Sequence, residues 1–242
     1  MTSVLRRSEG GEPPESLATG QVLAHVRRLI ERGELRPGQR LPAERGLAKQ
    51  IGVSRSSVRA GLRSLAAMRV LETRHGSGTF VSAGPPTLGS EPLRFLAALH
   101  GFGAAEMFEA RRMLEVGIAG LAAERAKADD LAAIAEEVAE CFASLEDPQA
   151  FLVHDIRFHR AVAAASGNPI LASVVEMVSA IFYERRRQTA DRAHDLRGPA
   201  QLHRRIYQAI RARDRERAQA MMNEHLLRSL RSETSEEAGI RT

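Results

Sequence analysis

Apolar residues recur first with a helical period, then briefly with the period of a strand, and then with a helical period to the end of the chain. Val22, Val26, Leu29 and Ile30 share one face of a helix predicted from Thr19 to about Arg32, with Thr19 as its cap. Gly33, Pro37 and Gly38 end it in a turn. A second helix, from about Ala43 to Gln50, turns Leu47 inward and stops at Gly52. Ser54 caps a third, in which Val58, Leu62 and Leu65 keep the helical spacing to about Met68. Two short runs, Val70 to Arg74 and Thr79 to Ser82, flank Gly76 and Gly78 and predict a hairpin, the wing of a winged helix-turn-helix.

From Ala83 to Pro92 the glycines and prolines disfavour both regular structures and mark a linker. Beyond it the strand signal disappears. Ala- and Leu-rich stretches are broken at Asp129 to Asp130, Asp147 to Pro148, Gly167 to Pro169, Leu196 to Pro199 and near Arg213 to Asp214, which predicts a bundle of six or seven helices. The fold class is therefore mainly α, an N-terminal winged helix-turn-helix plus a C-terminal all-helical bundle. The expected organisation is a flexible arm over 1–16, a winged head over 17–82, a linker over 83–90, the bundle over 91–233 and a flexible tail over 234–242. No internal repeat is visible.

Composition refines this picture. At 43% hydrophobic and only 4% aromatic, without tryptophan, the core must be built from Leu, Ala, Val and Ile, which suits packed helices. Cys141 is the only cysteine, which excludes an internal disulfide and a multi-cysteine zinc ribbon and points to a reducing, cytoplasmic setting. No secretory signal is visible, and no apolar run reaches the roughly 20 residues needed to span a bilayer. The net charge of +5 is unevenly placed. Leu17 to Ser82 holds 12 Lys and Arg against 4 Asp and Glu, whereas Glu91 to Glu233 holds 20 against 21. That asymmetry suits a head that faces phosphate.

The third predicted helix would enter a DNA groove with its polar start. Arg55, Ser56, Ser57 and Arg59 occupy its first turns while Val58 and Leu62 face the core. Arg45, just inside the preceding helix, would approach the backbone, and His75 with Gly76 at the wing tip would reach the minor groove or its phosphates. The segment from Leu17 to Ser82 resembles the N-terminal domain of the GntR superfamily, through GELRPGQRLPAERGLA, GVSRSSVR and a wing ending GSGTFV. The resemblance implies a homodimer on a palindromic operator, with Arg45, Arg55 and Arg59 as DNA-contacting arginines. Two positions depart from the pattern. Gly61 stands where Ala is usual, at an expected cost of about 0.5–1 kcal/mol in the helix. Arg69 stands where Gly is usual, at a left-handed cost of roughly 1 kcal/mol.

In the bundle, Asp155 and His159 lie four apart and share a helical face. If the chain reverses near Arg213, His203 and His225 sit at similar distances from the turn and meet across an antiparallel hairpin. If that pair packs against the helix carrying Asp155 and His159, the four would complete a set of one oxygen and three nitrogen donors suited to a divalent metal, zinc, nickel, manganese or iron, a site that the spacing permits without proving. His100, His154 and His194 fit no such set, and Asn168 before Pro169 reads as a helix cap. Nothing local decides whether Arg111 or Arg112 faces inward.

The pieces EARRMLEVGIAGLAAERA, DIRFHRAVAAASGNP and LHRRIYQAIRARDRERAQAMMNEHL make this region similar to the metal-containing ligand-binding domain of the FadR-like branch, the FCD type. That resemblance implies Asp155, His159, His203 and His225 as metal ligands and Arg111 as a holder of a small organic acid above the metal. Leu202 precedes His203 where an acidic residue is common. The expectation is a ligand-responsive regulator of transcription, a repressor and not an enzyme. A metal hydrolase is disfavoured because no general base is evident and the basic head would have no task. A DNA-binding architectural protein without an effector is the alternative, marked by absence of metal and indifference to small acids.

Overall fold

A computed structural model of the chain describes residues 15–84, 91–187, 190–192 and 195–238. Residues 1–14 of the expected arm, 85–90 of the expected linker, His194 and 239–242 of the expected tail lie outside the described residues. The chain divides near residue 85 into two compact units.

In the first unit, helix α1 (Glu15–Glu31) starts a turn earlier than its sequence suggests, so Thr19 lies inside the helix instead of capping it. The reason is tertiary. Ala18, Val22 and Val26 recur every four residues and are all buried, so packing carries the helix past a plausible cap. Helix α2 (Glu44–Ile51) buries Leu47 and ends at Gly52, whose φ of 80° is the left-handed stop expected there. Helix α3 (Arg55–Ala67) is capped by Ser54, whose hydroxyl accepts from the Ser57 backbone N–H at 3.1 Å.

Strands β1 (Leu71–Arg74) and β2 (Gly78–Val81) pair antiparallel, Leu71 opposite Val81 and Arg74 opposite Gly78. The segment before α2 adds a third edge that periodicity did not show. The Leu41 N–H donates to Thr79 O and the Val81 N–H to Gln39 O, each at 2.8 Å.

The two departures noted in the sequence acquire physical reasons. Gly61 is buried where α3 meets α1, and a Cβ there would stand 2.6 Å from Val22 Cγ1. The helix gives up propensity to gain a closer approach. Arg69 adopts φ 58°, the left-handed conformation that a glycine would take without strain.

The second unit consists, among the described residues, of seven α-helices and one short 3-10 turn. They are α4 (Glu91–His100), α5 (Ala104–Arg125), α6 (Ala128–Ala143), α7 (Pro148–Ala165), α8 (Pro169–Arg186), α9 (Arg197–Arg211) and α10 (Arg215–Ala238), with the 3-10 turn Ala190–Arg192 before α9. Asp129 and Asp130 fall in the first turn of α6 instead of in the break, and α10 continues through Ala238, into the segment 234–242 expected as a flexible tail. Asn168 caps α8 as expected, its Oδ1 accepting from the Ile170 N–H at 3.0 Å. The core of this unit joins Phe108, Ile118, Phe158, Ile206, Met222 and Leu226 with many small alanines, so the helices approach closely. α5 packs along α10, and α9 folds back antiparallel to α10.

That reversal is set by Arg213, which takes φ 62° and donates to Ala123 O and Ala126 O at the end of α5. Asp214 accepts from the Arg217 N–H at 3.0 Å and starts α10.

Candidate metal centre and nucleic-acid interface

Asp147 and Pro148 begin α7, the cap accepting from the Gln149 and Ala150 N–H groups at 3.1 Å. The helix then presents Phe151, Asp155, Ile156, His159 and Val162 to the bundle interior. The α9–α10 hairpin brings His203 and His225 to the same level, as the spacing suggested. His203 Nε2 and His225 Nε2 are 3.3 Å apart, His159 Nε2 and His225 Nε2 3.1 Å. Asp155 Oδ1 lies 3.2 Å from His203 Nε2 and 3.9 Å from His159 Nε2. One donor atom from each of the four residues falls within 4.8 Å of all the others. The three histidines are at most 1% exposed and Asp155 9%.

The arrangement fits a metal ion on its own chemistry. Tetrahedral ligands with bonds of about 2.0–2.1 Å stand roughly 3.3 Å apart, close to the separations seen here. If each neutral imidazole carries its one N–H on the outward nitrogen, three ring lone pairs and a carboxylate oxygen converge in a dry core, the arrangement that ligation of a cation requires. The outward nitrogens support that orientation. His159 Nδ1 contacts Glu115 Oε2, which leaves Nε2 as the inward acceptor. His203 Nδ1 lies 3.5 Å from Cys141 Sγ, and the Phe158 ring stacks on His203 at 4.1 Å between centroids.

Burial opposes charge on His203, His225 and Asp155. It lowers the His203 pKa, against the hydrogen bond that His203 donates to the Asp155 carboxylate, and lowers that of His225 well below the usual value, helped by His203 and His159. Burial alone would raise the Asp155 carboxyl, but the hydrogen bond it accepts from His203 and the surrounding histidines outweigh it and hold it far below the usual range. Glu115 is likewise opposed by burial, yet Arg111 and His159 bring it down to about 2. Burial, then Asp155, pushes the Cys141 thiol up, so this cysteine is an inert neighbour of His203.

Arg111 is the inward residue of its pair, 2% exposed, while Arg112 is exposed. Its Nε donates to Glu115 Oε1 at 2.6 Å, and its guanidinium lies 4.2 Å from the Phe182 ring centre and 5.6 Å from that of Phe108. Sequence reading missed Glu115. The signal was present, since Arg111 and Glu115 are four apart on one helix face, but nothing in the sequence linked that pair to His159. Elsewhere, His154 Nδ1 is 2.8 Å from Glu137 at the bundle edge, and His100 is exposed and stacked with Phe102.

In the first unit, Arg45, Arg55, Ser56 and Arg59 are exposed at the starts of α2 and α3, and His75 and Gly76 are exposed at the hairpin tip. Arg59 Nε donates to Glu44 Oε2 at 2.8 Å, which ties α3 to α2 across 15 residues. Ser57 departs from expectation. It is 4% exposed and its hydroxyl lies 2.9 Å from that of Ser54, so it joins the helix cap and is not part of the exposed surface formed by Arg55, Ser56 and Arg59. No helix among the described residues is long and apolar enough to cross a membrane.

Comparison with known proteins follows the same division. The family of bacterial regulatory proteins called gntR matches residues 18–81, and the FCD domain family matches residues 106–228. The HTH-type transcriptional regulator LutR of Bacillus subtilis strain 168 is 32% identical over 203 residues, covering 82% of this chain and 93% of the relative. The galactonate operon transcriptional repressor of Escherichia coli strain K12 is 31% identical over 209 residues, covering 83% and 90%. Among solved structures, a Streptococcus agalactiae GntR superposes with a TM-score of 0.69 at 29% identity, covering 88% of this chain and 99% of that one.

Proposed function

The chain belongs to the gntR family of bacterial regulatory proteins, with an FCD domain behind its DNA-binding head, and we propose that it is a repressor whose operator affinity is set by a small organic acid. The matched domains are those of transcriptional regulators and not catalytic ones. The observation that carries the effector reading is the convergence of three fully buried imidazoles and one carboxylate beside a buried arginine.

Asp155, His159, His203 and His225 would hold a divalent ion, zinc in the first place, with nickel, manganese or iron also suited to this donor set. When bound, that ion would supply an electrophilic centre that a carboxylate could join as a further ligand beyond the four protein donors. Glu115 fixes the ring of His159, and Phe158 that of His203. Arg111 offers its remaining N–H groups to the acid while Glu115 fixes Nε. A sugar acid, a lactate-like acid and a dicarboxylate all meet these requirements. A fatty acyl group would bring its chain into a polar centre.

Arg55, Ser56 and Arg59 on α3 would read a major groove, with Arg45 on the backbone and His75 and Gly76 of the wing beside it. A homodimer would place two such heads on a palindromic operator. Phe95, Leu99 and Met113, each more than 70% exposed on α4 and α5, provide the bundle with apolar surface for that pairing. The acid acts as effector only if it binds the DNA-competent and DNA-incompetent arrangements with different affinity. Relief of repression is the direction proposed, in keeping with a relative described as a repressor.

The test begins by selecting DNA from a random pool with the full-length protein, then measuring affinity by fluorescence anisotropy. A two-fold symmetric site should emerge, and R55A should weaken it about 10-fold or more while barely affecting random DNA. Small acids should alter affinity for that site only when metal is bound. If operator affinity ignores both metal removal and every acid tried, the effector reading fails and the architectural alternative takes its place.

A further inference from the structure

We infer that the ligand pocket selects a monoanion, an acid with one carboxylate, over the counterpart that carries a second. The inference rests on the metal-and-carboxylate reading above and narrows it. Among the described residues of the bundle, the fully charged side chains that are buried are Arg111, Glu115, Asp155 and Glu233. Glu233 stands eight residues beyond His225 on α10, about 12 Å along the helix axis, and has a partner of its own. The other three form one connected group. Arg111 is bonded to Glu115, Glu115 to His159, and His159 faces Asp155 within the donor set.

Ligation requires the three imidazoles to be neutral. A divalent ion and Arg111 then bring three positive charges, Glu115 and Asp155 two negative ones, and a single positive charge is left for a ligand to neutralise. One carboxylate does so, using the metal and the free edge of Arg111. A second carboxylate has no buried cation to pair with among the described residues, because Arg111 is the only one and its Nε is already committed to Glu115. Phe108 and Phe182 flank the guanidinium, and Phe158 covers His203. An unpaired charge held against such surroundings is costly, whereas a hydroxyl needs only a hydrogen bond. Polyhydroxylated acids with one carboxylate are therefore admitted and diacids disfavoured.

The experiment uses full-length, zinc-loaded protein and a panel of small aliphatic and sugar acids in matched pairs, such as 2-hydroxypropanoate with 2-hydroxybutanedioate, and galactonate with galactarate. Affinities come from calorimetry and from shifts in melting temperature. For pairs that bind, the monoacid should be tighter by about 10-fold or more, the scale of one uncompensated charge after relaxation. Glu115→Gln removes one negative charge, so at saturating zinc, with metal content confirmed, the ratio should move toward the diacid. Diacids that bind wild-type protein as tightly as monoacids overturn the inference and leave the metal-and-carboxylate reading standing. So does an E115Q ratio equal to that of wild type at equal metal content. If no acid of either kind binds, the underlying reading falls as well.

Discussion

Replacing Gly61 by Ala sets two effects of opposite sign against each other. In an exposed helix the change is stabilising by about 1 kcal/mol, because Ala restores helical propensity. Here the added Cβ would lie 2.6 Å from Val22 Cγ1 and 2.7 Å from Val22 Cβ. Val22 is fully buried, its branched side chain has few rotamers, and one of the two clashing atoms is its own Cβ, which no rotation can move. Relief requires α1 and α3 to separate by several tenths of an ångström, an overpacking cost of about 1–3 kcal/mol. The net expectation is destabilisation of the head by about 1 kcal/mol, with α3 displaced from α1. The chain has no tryptophan, so hydrogen exchange with mass spectrometry is the better assay. Peptides from α1 and α3 should exchange about 5-fold faster in G61A at equilibrium, as 1 kcal/mol requires, with bundle peptides unchanged. Slower exchange in α3 would show that propensity outweighs packing and that the close approach of the two helices is wrong.

Three further outcomes follow from particular residues. Arg69→Gly should stabilise the head by about 1 kcal/mol, read in the same exchange experiment, because the position is left-handed and Arg69 is exposed; a loss of protection in α3 and β1 would contradict it. Glu115→Gln should lower zinc affinity by about 10- to 100-fold in competition with a chelator, since His159 loses its charged partner while its ring stays in place; unchanged affinity would remove Glu115 from the site. The pH dependence of metal-free protein follows from His203 and His225, whose folded pKa values lie below the ordinary 6.5. The unfolded chain then binds more protons as pH falls through that range, so melting temperature should drop between about pH 7.5 and about pH 5.5. Glu115, held down at about 2, adds nothing to that slope, because its contribution is lost only at more acid pH. A flat profile would mean that the two imidazoles are not buried as neutral groups.

Much of this was readable before any coordinates. The helix and hairpin order of the head follows from Val58, Leu62 and Leu65 after a Ser54 cap, and from glycines at the wing tip. The two halves of the donor set follow from spacing, His159 four residues after Asp155 and two similar arms about Arg213 for His203 and His225, and the resemblance to the FCD type joined them. What periodicity could not supply were contacts between segments distant in sequence. Glu115 reaches His159 from 44 residues away, Arg213 caps α5 from about 90, and Cys141 meets His203 from 62. Thr19 misled because a cap residue is a local signal and the burial of Ala18 is a tertiary one. Ser57 misled for a related reason. It stands among exposed neighbours on α3, but its hydroxyl turns back to Ser54. Gly61 looked like a loss of helix stability until Val22 was seen beside it.

The claim on which the functional reading turns is that Asp155, His159, His203 and His225 hold a cation. Elemental analysis of untagged protein, purified without chelator, measures this directly. The expected result is about one transition-metal ion per chain in the wild type and almost none in a His159→Ala, His225→Ala double variant whose helical circular dichroism is retained. Wild-type protein that is folded, metal-free and unable to take up zinc, nickel, manganese or iron would contradict it.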